Sequence, residues 1–291
     1  MSRIAVRRAG EAPSRSRRRV SGGQVLRYLV LVLGFAAIVG PLLWQASLAF
    51  KGAGDDLYAR PPYLIPHDPT FENFTEAFSR VPILRYVANS VIVAAIDIAG
   101  NVVGASCAGY ALARLRFRGR GLVTGVFVVG LLVPVEAVIV SQFLIVRDLG
   151  LANTLFAVAL PGLVTPINVL LMRNAFLGIP KELEEAAIID GANAWQRFSR
   201  VCLPQVKGVV AVTAIFAFMG AWNDFLWPLI VASDESIYTL TLGLNRLRGT
   251  FYSDPRLIAA GTIIALVPII VVFALAQKQF FRGLEAGGIK G

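Results

Sequence analysis

Six long apolar segments constrain this chain more than any other feature of its sequence. Each is close to the ~20 residues that an α-helix needs to cross a lipid bilayer. They lie at about 28–50, 86–113, 121–146, 155–177, 206–230 and 257–281. Because backbone polar groups in the hydrocarbon must be satisfied internally, these segments predict an all-α membrane protein with six transmembrane helices.

The polar stretches between the segments divide the chain into regions. We predict an Arg-rich cytoplasmic tail over 1–27, a first transmembrane helix over 28–50, an external loop over 51–85, a core domain with five transmembrane helices over 86–281, and a cytoplasmic tail over 282–291. Within the core, residues 179–205 form a polar loop between two apolar segments. A second external loop, 233–256, alternates polar and apolar residues and predicts a small hairpin or a folded lid.

The distribution of charge predicts the orientation of the chain. The sequence has 28 Lys and Arg residues against 18 Asp and Glu, a formal net charge of +10. If the N-terminus is cytoplasmic, most basic residues lie in cytoplasmic segments or at the cytoplasmic ends of spans, which satisfies the positive-inside rule. The basic excess is therefore a topology signal, and we expect contact with the lipid bilayer and not with nucleic acid.

The sequence shows no pattern typical of catalysis. No phosphate-binding motif G-x-x-x-x-G-K-[ST] occurs, so we do not expect this chain to hold ATP. His67 is the single histidine, and no cluster has metal-ligand spacing. Cys107 and Cys202 fall near the predicted cytoplasmic face, where a disulfide is not expected. We therefore predict no catalytic residue, no metal and no cofactor bound by this chain, although an enzyme within the membrane stays an alternative.

The polar loop has the local signals of two short helices. Pro180 suits a first helical turn, because the N–H that proline lacks would be unpaired there. Gly191 suits the left-handed position that ends a helix. Asn193, with Gln196 three residues later, predicts a cap at the start of a second helix. Three acidic residues favour the positive end of the first helix dipole: Glu182, Glu184 and Glu185.

Three acidic residues lie within the predicted spans: Asp97, Glu136 and Asp224. Ionised carboxylates in a bilayer are costly and normally face the interior of the helix bundle or water. Asp224 follows Trp222 and Asn223, and an aromatic face beside hydrogen-bonding groups suits a sugar. An interfacial aromatic belt with a polar packing cluster explains the same residues. Trp222, Asn223, Asp224 and Glu136 are the candidates for the substrate pathway, while Asp97 and Glu136 suit structural hydrogen bonding as well.

The spacing within the polar loop resembles a known family. Glu185-Ala186-Ala187 is followed after three residues by Gly191, and after nine more by Val201-Cys202-Leu203-Pro204. This pattern resembles the "EAA" loop of the membrane subunits of ABC importers, with Val201 in place of the commoner Ile. An ordinary cytoplasmic helix–turn–helix is the alternative interpretation.

Other blocks narrow the resemblance to carbohydrate-uptake ABC permeases of the maltose-transporter type, over most of residues 28–291. These blocks are Tyr110 to Arg114, Gly150 to Thr154, Trp222 to Pro228 and Arg282 to Gly291. The resemblance implies a type I importer permease, which works by alternating access and has a cytoplasmic coupling helix. It also implies a multi-pass protein of the bacterial inner membrane, and with the charge distribution we expect both termini to be cytoplasmic. The Arg-rich tail is not part of the shared pattern.

The resemblance also implies partners and docking residues. A second homologous permease would pair with this chain, two ABC ATPase domains would bind ATP and Mg, and an extracytoplasmic solute-binding protein would deliver the sugar. The residues expected to dock on the ATPase are Glu185, Ala186, Ala187, Asp190, Gly191, Leu203 and Pro204.

Three other functions stay open from the sequence. One is an ABC permease for another solute, such as a polyamine or a phosphorylated polyol. Another is a secondary transporter or channel, which would use the intramembrane acids to bind a coupling ion. The third is a membrane-anchored interaction protein, for which six spans are excessive.

Overall fold

The structure of the protein, a computed structural model, describes residues 22–249 and 253–288. In these residues the backbone is helical apart from turns and loops, with one isolated β-bridge between Lys51 and Pro69. The predicted all-α class is confirmed. Most of the Arg-rich tail, up to residue 21, and the last three residues lie outside the described part of the chain.

The helices follow one another along the described sequence. They are α1 Gly22–Phe50, α2 Glu72–Arg80, α3 Ile83–Gly100, α4 Ser106–Arg114, α5 Arg120–Leu132, α6 Val135–Asp148, α7 Leu155–Ala159, α8 Pro166–Leu177, α9 Lys181–Ile189, α10 Ala194–Gln196, α11 Leu203–Gln205, α12 Lys207–Asn223, α13 Leu226–Val231, α14 Leu240–Leu244 and α15 Pro255–Gly288. Two π-helical segments, Asn101–Ala105 and Arg197–Cys202, and three 3₁₀ turns, Leu160–Gly162, Glu235–Ile237 and Asn245–Leu247, connect some of them.

Six membrane crossings can be assigned by length and composition. Three helical stretches are uninterrupted and apolar enough to span a bilayer: Leu26–Phe50, Ile83–Arg114 and Pro255–Gln277. Three further crossings are pairs of helices joined by a bend: Arg120–Leu132 with Val135–Asp148, Leu155–Gly162 with Pro166–Leu177, and Ala194–Gln205 with Lys207–Asn223. The bend angles are 108°, 47° and 83°, respectively. The predicted number of spans is therefore confirmed when each bent pair counts as one.

The third apolar segment is not the continuous helix that 121–146 implied. Its helix ends at Leu132 and a new one starts at Val135, at an angle of 108° to the first. The cause is Pro134, because proline disfavours the helical conformation of the residue before it. Val133 is accordingly extended, with φ −81° and ψ 116°.

The fifth apolar segment, expected over 206–230, also breaks. Helix α12 ends at Asn223 and α13 begins at Leu226. Between them Asp224 is extended, with φ −67° and ψ 126°, and its carboxylate accepts a hydrogen bond from Trp227 N at 3.3 Å. Aspartate competes with helical hydrogen bonding in this way, which sequence hydropathy alone does not register.

The hairpin predicted for the second external loop is wrong. The described residues of that loop form two 3₁₀ turns and the short helix α14. Leu240 and Leu242 are buried, and a Cβ added at Gly243 would overlap the ring of Tyr86. The apolar residues of the loop therefore pack on α3, which corresponds to the folded alternative of the prediction.

By its internal contacts the chain divides at Trp44, within α1. The second unit, from Gln45 onward, contains two clusters of buried hydrophobic residues. One includes Tyr86, Trp222, Trp227 and Leu257. The other includes Tyr110, Met172, Phe176, Phe198 and Cys202, and so joins the ends of α4 and α8 to the second half of the polar loop.

Small residues let α3, its π-helical extension and the fourth span approach closely. A Cβ added at Gly100 would overlap the backbone of Leu163, and one added at Gly104 would overlap the side chain of Val164. At Gly109 an added Cβ would lie 2.7 Å from Met172 Cβ. These contacts are all within the chain, so the small residues of the second span serve intrachain packing.

Candidate functional site

The polar loop folds into the two helical pieces that its sequence predicts. Pro180 does not lie in the first helical turn as predicted, because it is extended, with φ −55° and ψ 138°, and immediately precedes α9. At the other end Gly191 has φ +79°, and Gly191 N donates to Ile188 O at 3.0 Å while Ala192 N donates to Ala187 O at 2.9 Å. This backbone conformation favours glycine, and the helix end it forms was predicted correctly.

The second piece starts with a complete capping box. Gln196 N donates to Asn193 Oδ1, and Asn193 N donates to Gln196 Oε1, both at 2.9 Å. A π-helical segment and α11 then carry the chain to Val206, where an 83° bend leads into α12. Leu203 and Pro204 lie immediately before that bend.

Helix α9 has two chemically different faces. Glu185, Ala186, Asp190 and Gly191 are exposed, and Ala187 is half-buried. Apolar side chains are exposed on the same loop: Leu183, Ile188, Ile189 and Trp195. Ile189 is 86% exposed. An exposed patch of mixed acidic and apolar character is typical of a surface that binds another protein.

Glu184 lies on the opposite face of α9 and is held by three side chains. Tyr110 Oη donates to Glu184 Oε1 at 2.8 Å. Arg197 Nε lies 3.5 Å from Glu184 Oε1, and Arg114 Nε lies 3.7 Å from Glu184 Oε2. The Glu184 side chain is 13% exposed. These contacts tie the first half of the loop to the second span and to the loop's own second half.

Arg114 extends this network to the fourth span. Its Nε and Nη2 donate to Phe176 O at 3.0 and 2.6 Å, and Nη2 also donates to Ile179 O. These carbonyls belong to the end of α8 and the residues after it, where helical partners are missing. The guanidinium also lies at the negative end of the α8 dipole, which is favourable.

Three aromatic rings pack beneath this network. The ring centroids of Tyr110 and Phe176 are 5.5 Å apart, those of Tyr110 and Phe198 are 5.2 Å apart, and those of Phe176 and Phe198 are 6.1 Å apart. The three rings come from the second span, the fourth span and the loop. We call Tyr110, Arg114, Phe176, Glu184 and Phe198 the loop anchor, because they fix the loop to two spans.

The intramembrane acids do not share one environment. Asp97 and Asp224 line the same cavity of about 90 Å³, together with Thr165, Gly162 and seven further residues: Val93, Val158, Pro161, Phe216, Ala217, Gly220 and Ala221. Glu136 is exposed in the first turn of α6, directly after the 108° bend, and does not line this cavity. The sequence analysis identified all three acids as candidates, but it did not predict that Asp97 and Asp224 line the same cavity.

The other candidates for the substrate pathway lie in different positions. Trp222 is buried, stacks on Phe218 with ring centroids 5.4 Å apart, and donates from Nε1 to Ala265 O at 3.1 Å. Asn223 is exposed and its Nδ2 donates to Met219 O at 2.8 Å. Of these three residues, Asp224 is therefore the one that lines the cavity shared with Asp97.

Asn101, which sequence reasoning did not single out, connects the breaks around the cavity. Its Nδ2 donates to Asp97 O at 2.9 Å and to Gly162 O at 2.6 Å. Its Oδ1 accepts from Thr165 N, Thr165 Oγ1 and Asn168 Nδ2 at 3.0, 3.1 and 2.9 Å. This fully buried amide also begins the π-helical segment, a feature frequent at functional sites. A lone polar residue in an apolar run was the signal that could have identified it.

The fold and the loop together define a multi-pass membrane protein with a structured polar loop. Residues 100–285 match the family described as the binding-protein-dependent transport system inner membrane component. The chain belongs to this family. It is thus a permease subunit of an ABC importer, as the loop pattern indicated.

Relatives and solved structures agree with this assignment. The chain is 34% identical over 283 residues to the probable ABC transporter permease protein YurM of Bacillus subtilis (strain 168), covering 97% of this chain and 93% of that one. It is 33% identical over 272 residues to the diacetylchitobiose uptake system permease protein DasC of Streptomyces coelicolor, covering 92% and 98%. A bacterial ABC transporter involved in the import of the acidic polysaccharide alginate contains a chain of the same fold, with a TM-score of 0.79 at 24% identity over 92% of this chain and 100% of that one.

Proposed function

We propose that this permease imports an oligosaccharide. The name of the Streptomyces relative, an uptake permease for diacetylchitobiose, supports a sugar substrate. The sequence block from Trp222 to Pro228, typical of carbohydrate permeases, supports it as well. A soluble binding protein delivers the solute from outside, and a second homologous permease completes the pore.

The exposed face of α9 is the surface that docks on the ATPase in this proposal. Two ABC ATPase domains bind ATP and Mg and close during the cycle, while this chain binds neither. Both termini and the polar loop are cytoplasmic. The observation that supports this most directly is the division of α9 into a face held by the loop anchor and a face that exposes Glu185, Ala186 and Ile189.

Motion of the ATPases would reach the membrane through the loop anchor. A helix pushed at its outer face can move the spans only if its inner face is attached to them. Glu184 supplies that attachment, because its contacts reach α4 directly and α8 through Arg114. Leu203 and Pro204, before the 83° bend, carry the same displacement into α12.

Reconstitution tests the proposal. The four partners named above would be placed in liposomes with this chain, and uptake of a labelled oligosaccharide panel would be followed with and without internal ATP. Import of at least one oligosaccharide that needs both ATP and the binding protein is the expected result. Import of a polyamine or a phosphorylated polyol alone would replace the sugar assignment, and uptake driven by an ion gradient without ATP would indicate a secondary transporter.

A further inference from the structure

The cavity lined by Asp97 and Asp224 contains a buried carboxylate oxygen that no hydrogen-bond donor in the described part of the chain satisfies. Asp97 is on α3 and is only 5% exposed. Its Oδ1 has no hydrogen-bond partner among the described residues. A buried carboxylate oxygen without a donor is unfavourable, since burial removes the water that would otherwise solvate it.

The rest of the cavity does not supply the missing positive charge. Among its described lining residues there is no Lys, Arg or His. Asp224 adds a second carboxylate, which is partly exposed and accepts a hydrogen bond from Trp227 N. Two carboxylates in one small, mostly apolar space require a positive charge or a proton between them.

The packing around Asp97 keeps its carboxylate at the cavity wall. A Cβ added at Gly162 would overlap Asp97 Oδ2, so this position is open only because residue 162 is glycine. Gly162 O is itself held by Asn101 Nδ2 at 2.6 Å. The carboxylate, the glycine and the buried amide thus form one fixed arrangement at the break of the fourth span.

We propose that this cavity is a binding site for a monovalent cationic group, either a free alkali or ammonium ion or the protonated amine of a transported solute. Its volume of about 90 Å³ is several times the roughly 10–15 Å³ that one bound water molecule needs. It therefore accommodates one small cation together with water molecules. A divalent ion such as Ca²⁺ takes six to eight oxygen ligands. Asp97, Asp224 and Thr165 provide fewer side-chain oxygens.

The test uses the purified full-length chain in lipid nanodiscs. Its thermal unfolding midpoint would be measured in sodium, potassium and ammonium chloride against choline chloride at constant ionic strength. Glucosamine hydrochloride compared with glucose distinguishes a solute-borne amine from a free ion. At ten times the dissociation constant, a ligand of the native state should raise the midpoint by roughly 2–3 °C. Choline, whose quaternary ammonium group has no N–H to donate to a carboxylate, should not.

Three variants locate the site. Asp97→Asn and Asp224→Asn should each abolish the cation-dependent shift. Gly162→Ala should raise the dissociation constant at least tenfold without changing any charge, because the added methyl group displaces the Asp97 carboxylate. Asp148→Asn is the matched control, since Asp148 is exposed at the end of α6 and pairs with Arg147 at 2.9 Å. It should keep the full shift.

A further test measures direct binding of ²²Na⁺ to the wild-type chain and its competition by each cation in turn. This test does not depend on whether a variant folds. Saturable binding displaced by one of the small cations is the expected result. A wild-type chain that binds none of them, or that choline stabilises equally, would overturn the site and leave a shared proton as the explanation. Oligosaccharide import is measured separately, so failure of either proposal is recognisable without the other.

Discussion

Neighbouring glutamates on α9 should have separable roles, which is the sharpest prediction of this structure. Glu184 faces the loop anchor and Glu185 is exposed. Replacing Glu184 with Ala should destabilise the permease itself. Replacing Glu185 with Ala or Lys should leave the permease unchanged and weaken its docking on the ATPase.

The size of the first effect follows from the contacts of Glu184. The hydrogen bond from Tyr110 is to a charged acceptor, which contributes about 1.5–3 kcal/mol. The two guanidinium groups lie at 3.5 and 3.7 Å, but Arg114 keeps its bonds to Phe176 O and Ile179 O when the carboxylate is removed. The loss is therefore below the ~3–5 kcal/mol of a buried charge left fully unpaired. We expect about 2–3 kcal/mol for Glu184→Ala.

The assay is thermal unfolding of the purified variants, followed by co-purification of the ATPase. A loss of this size corresponds to a fall of roughly 3–5 °C in the unfolding midpoint for a chain of this length. Glu185→Ala, a surface substitution, should change stability by less than about 0.5 kcal/mol. Tyr110→Phe keeps the ring and removes the hydroxyl. A double-mutant cycle with Glu184→Ala should give a coupling of about 1 kcal/mol or more.

Two outcomes contradict this reasoning. If Glu184→Ala and Glu185→Ala destabilise the isolated chain equally, the loop is not anchored through Glu184. If Tyr110→Phe and Glu184→Ala are additive, the 2.8 Å hydrogen bond does not stabilise the protein. Retention of the ATPase at wild-type levels by Glu185→Lys would instead remove Glu185 from the docking surface while leaving the anchor intact.

Three further predictions address the loops and the topology. In intact cells, Ser233→Cys should react with an impermeant thiol reagent and Ala194→Cys should not, because the loops that carry them are expected on opposite faces; labelling of Ala194→Cys from outside would refute the topology. Gly191→Val should reduce ATPase binding and destabilise the loop by roughly 1–2 kcal/mol, because no side chain crowds this position and the cost is that of φ +79° alone. Gly191→Asn should behave nearly as wild type, and equal effects of the two would contradict this explanation. Burial opposes ionisation of Asp55, but hydrogen bonds from His67 N, Asp68 N, the Tyr63 hydroxyl and Gly52 N outweigh it and hold the pKa of this carboxyl below its usual value. The stabilisation is thus present above the ordinary pKa of about 3.9 and is lost as the pH falls through the lower folded-state value. Proteolysis of the first external loop should rise at that acidic pH, and Asp55→Asn should show the rise already at pH 7.

The sequence predicted the spans because hydropathy depends on residue type and segment length. It did not predict the bends within the third and fifth apolar segments. Pro134 was visible, but whether a proline kinks a span or turns it through 108° depends on the packing of both halves. The break at Asp224 depends on a single side chain that competes for backbone hydrogen bonds. Hydropathy is averaged over many residues and does not register the effect of one side chain.

The local structure of the polar loop was predicted more completely than its attachment. Gly191 and the Asn193–Gln196 cap act within a few residues, so a sequence contains what is needed to place them. Glu184 was named only as one of three acids in a helical turn. The signal for its role lay elsewhere, in the four-residue spacing of Tyr110 and Arg114, which places both on one face of the second span.

The acidic cavity shows a different limit. Asp97 and Asp224 were each recognised as costly in a membrane, yet they are separated by more than a hundred residues. No local sequence pattern predicts that they line the same cavity. Their meeting depends on α3, the broken fourth span and the end of α12 packing together, which only the fold determines.

In the fourth span, two side chains replace helical hydrogen bonds that prolines near this cavity remove. Pro161 cannot donate to Ala157 O, and Trp227 Nε1 donates to that carbonyl at 3.0 Å. Pro166 cannot donate to Gly162 O, and Asn101 Nδ2 does so at 2.6 Å. The helical run of the fourth span is therefore interrupted at the cavity wall, while Arg114 of the loop anchor binds its other end through Phe176 O and Ile179 O. We expect a displacement applied to α9 to bend the fourth span at this interruption and not at the loop anchor, because helices bend where their hydrogen bonds are interrupted.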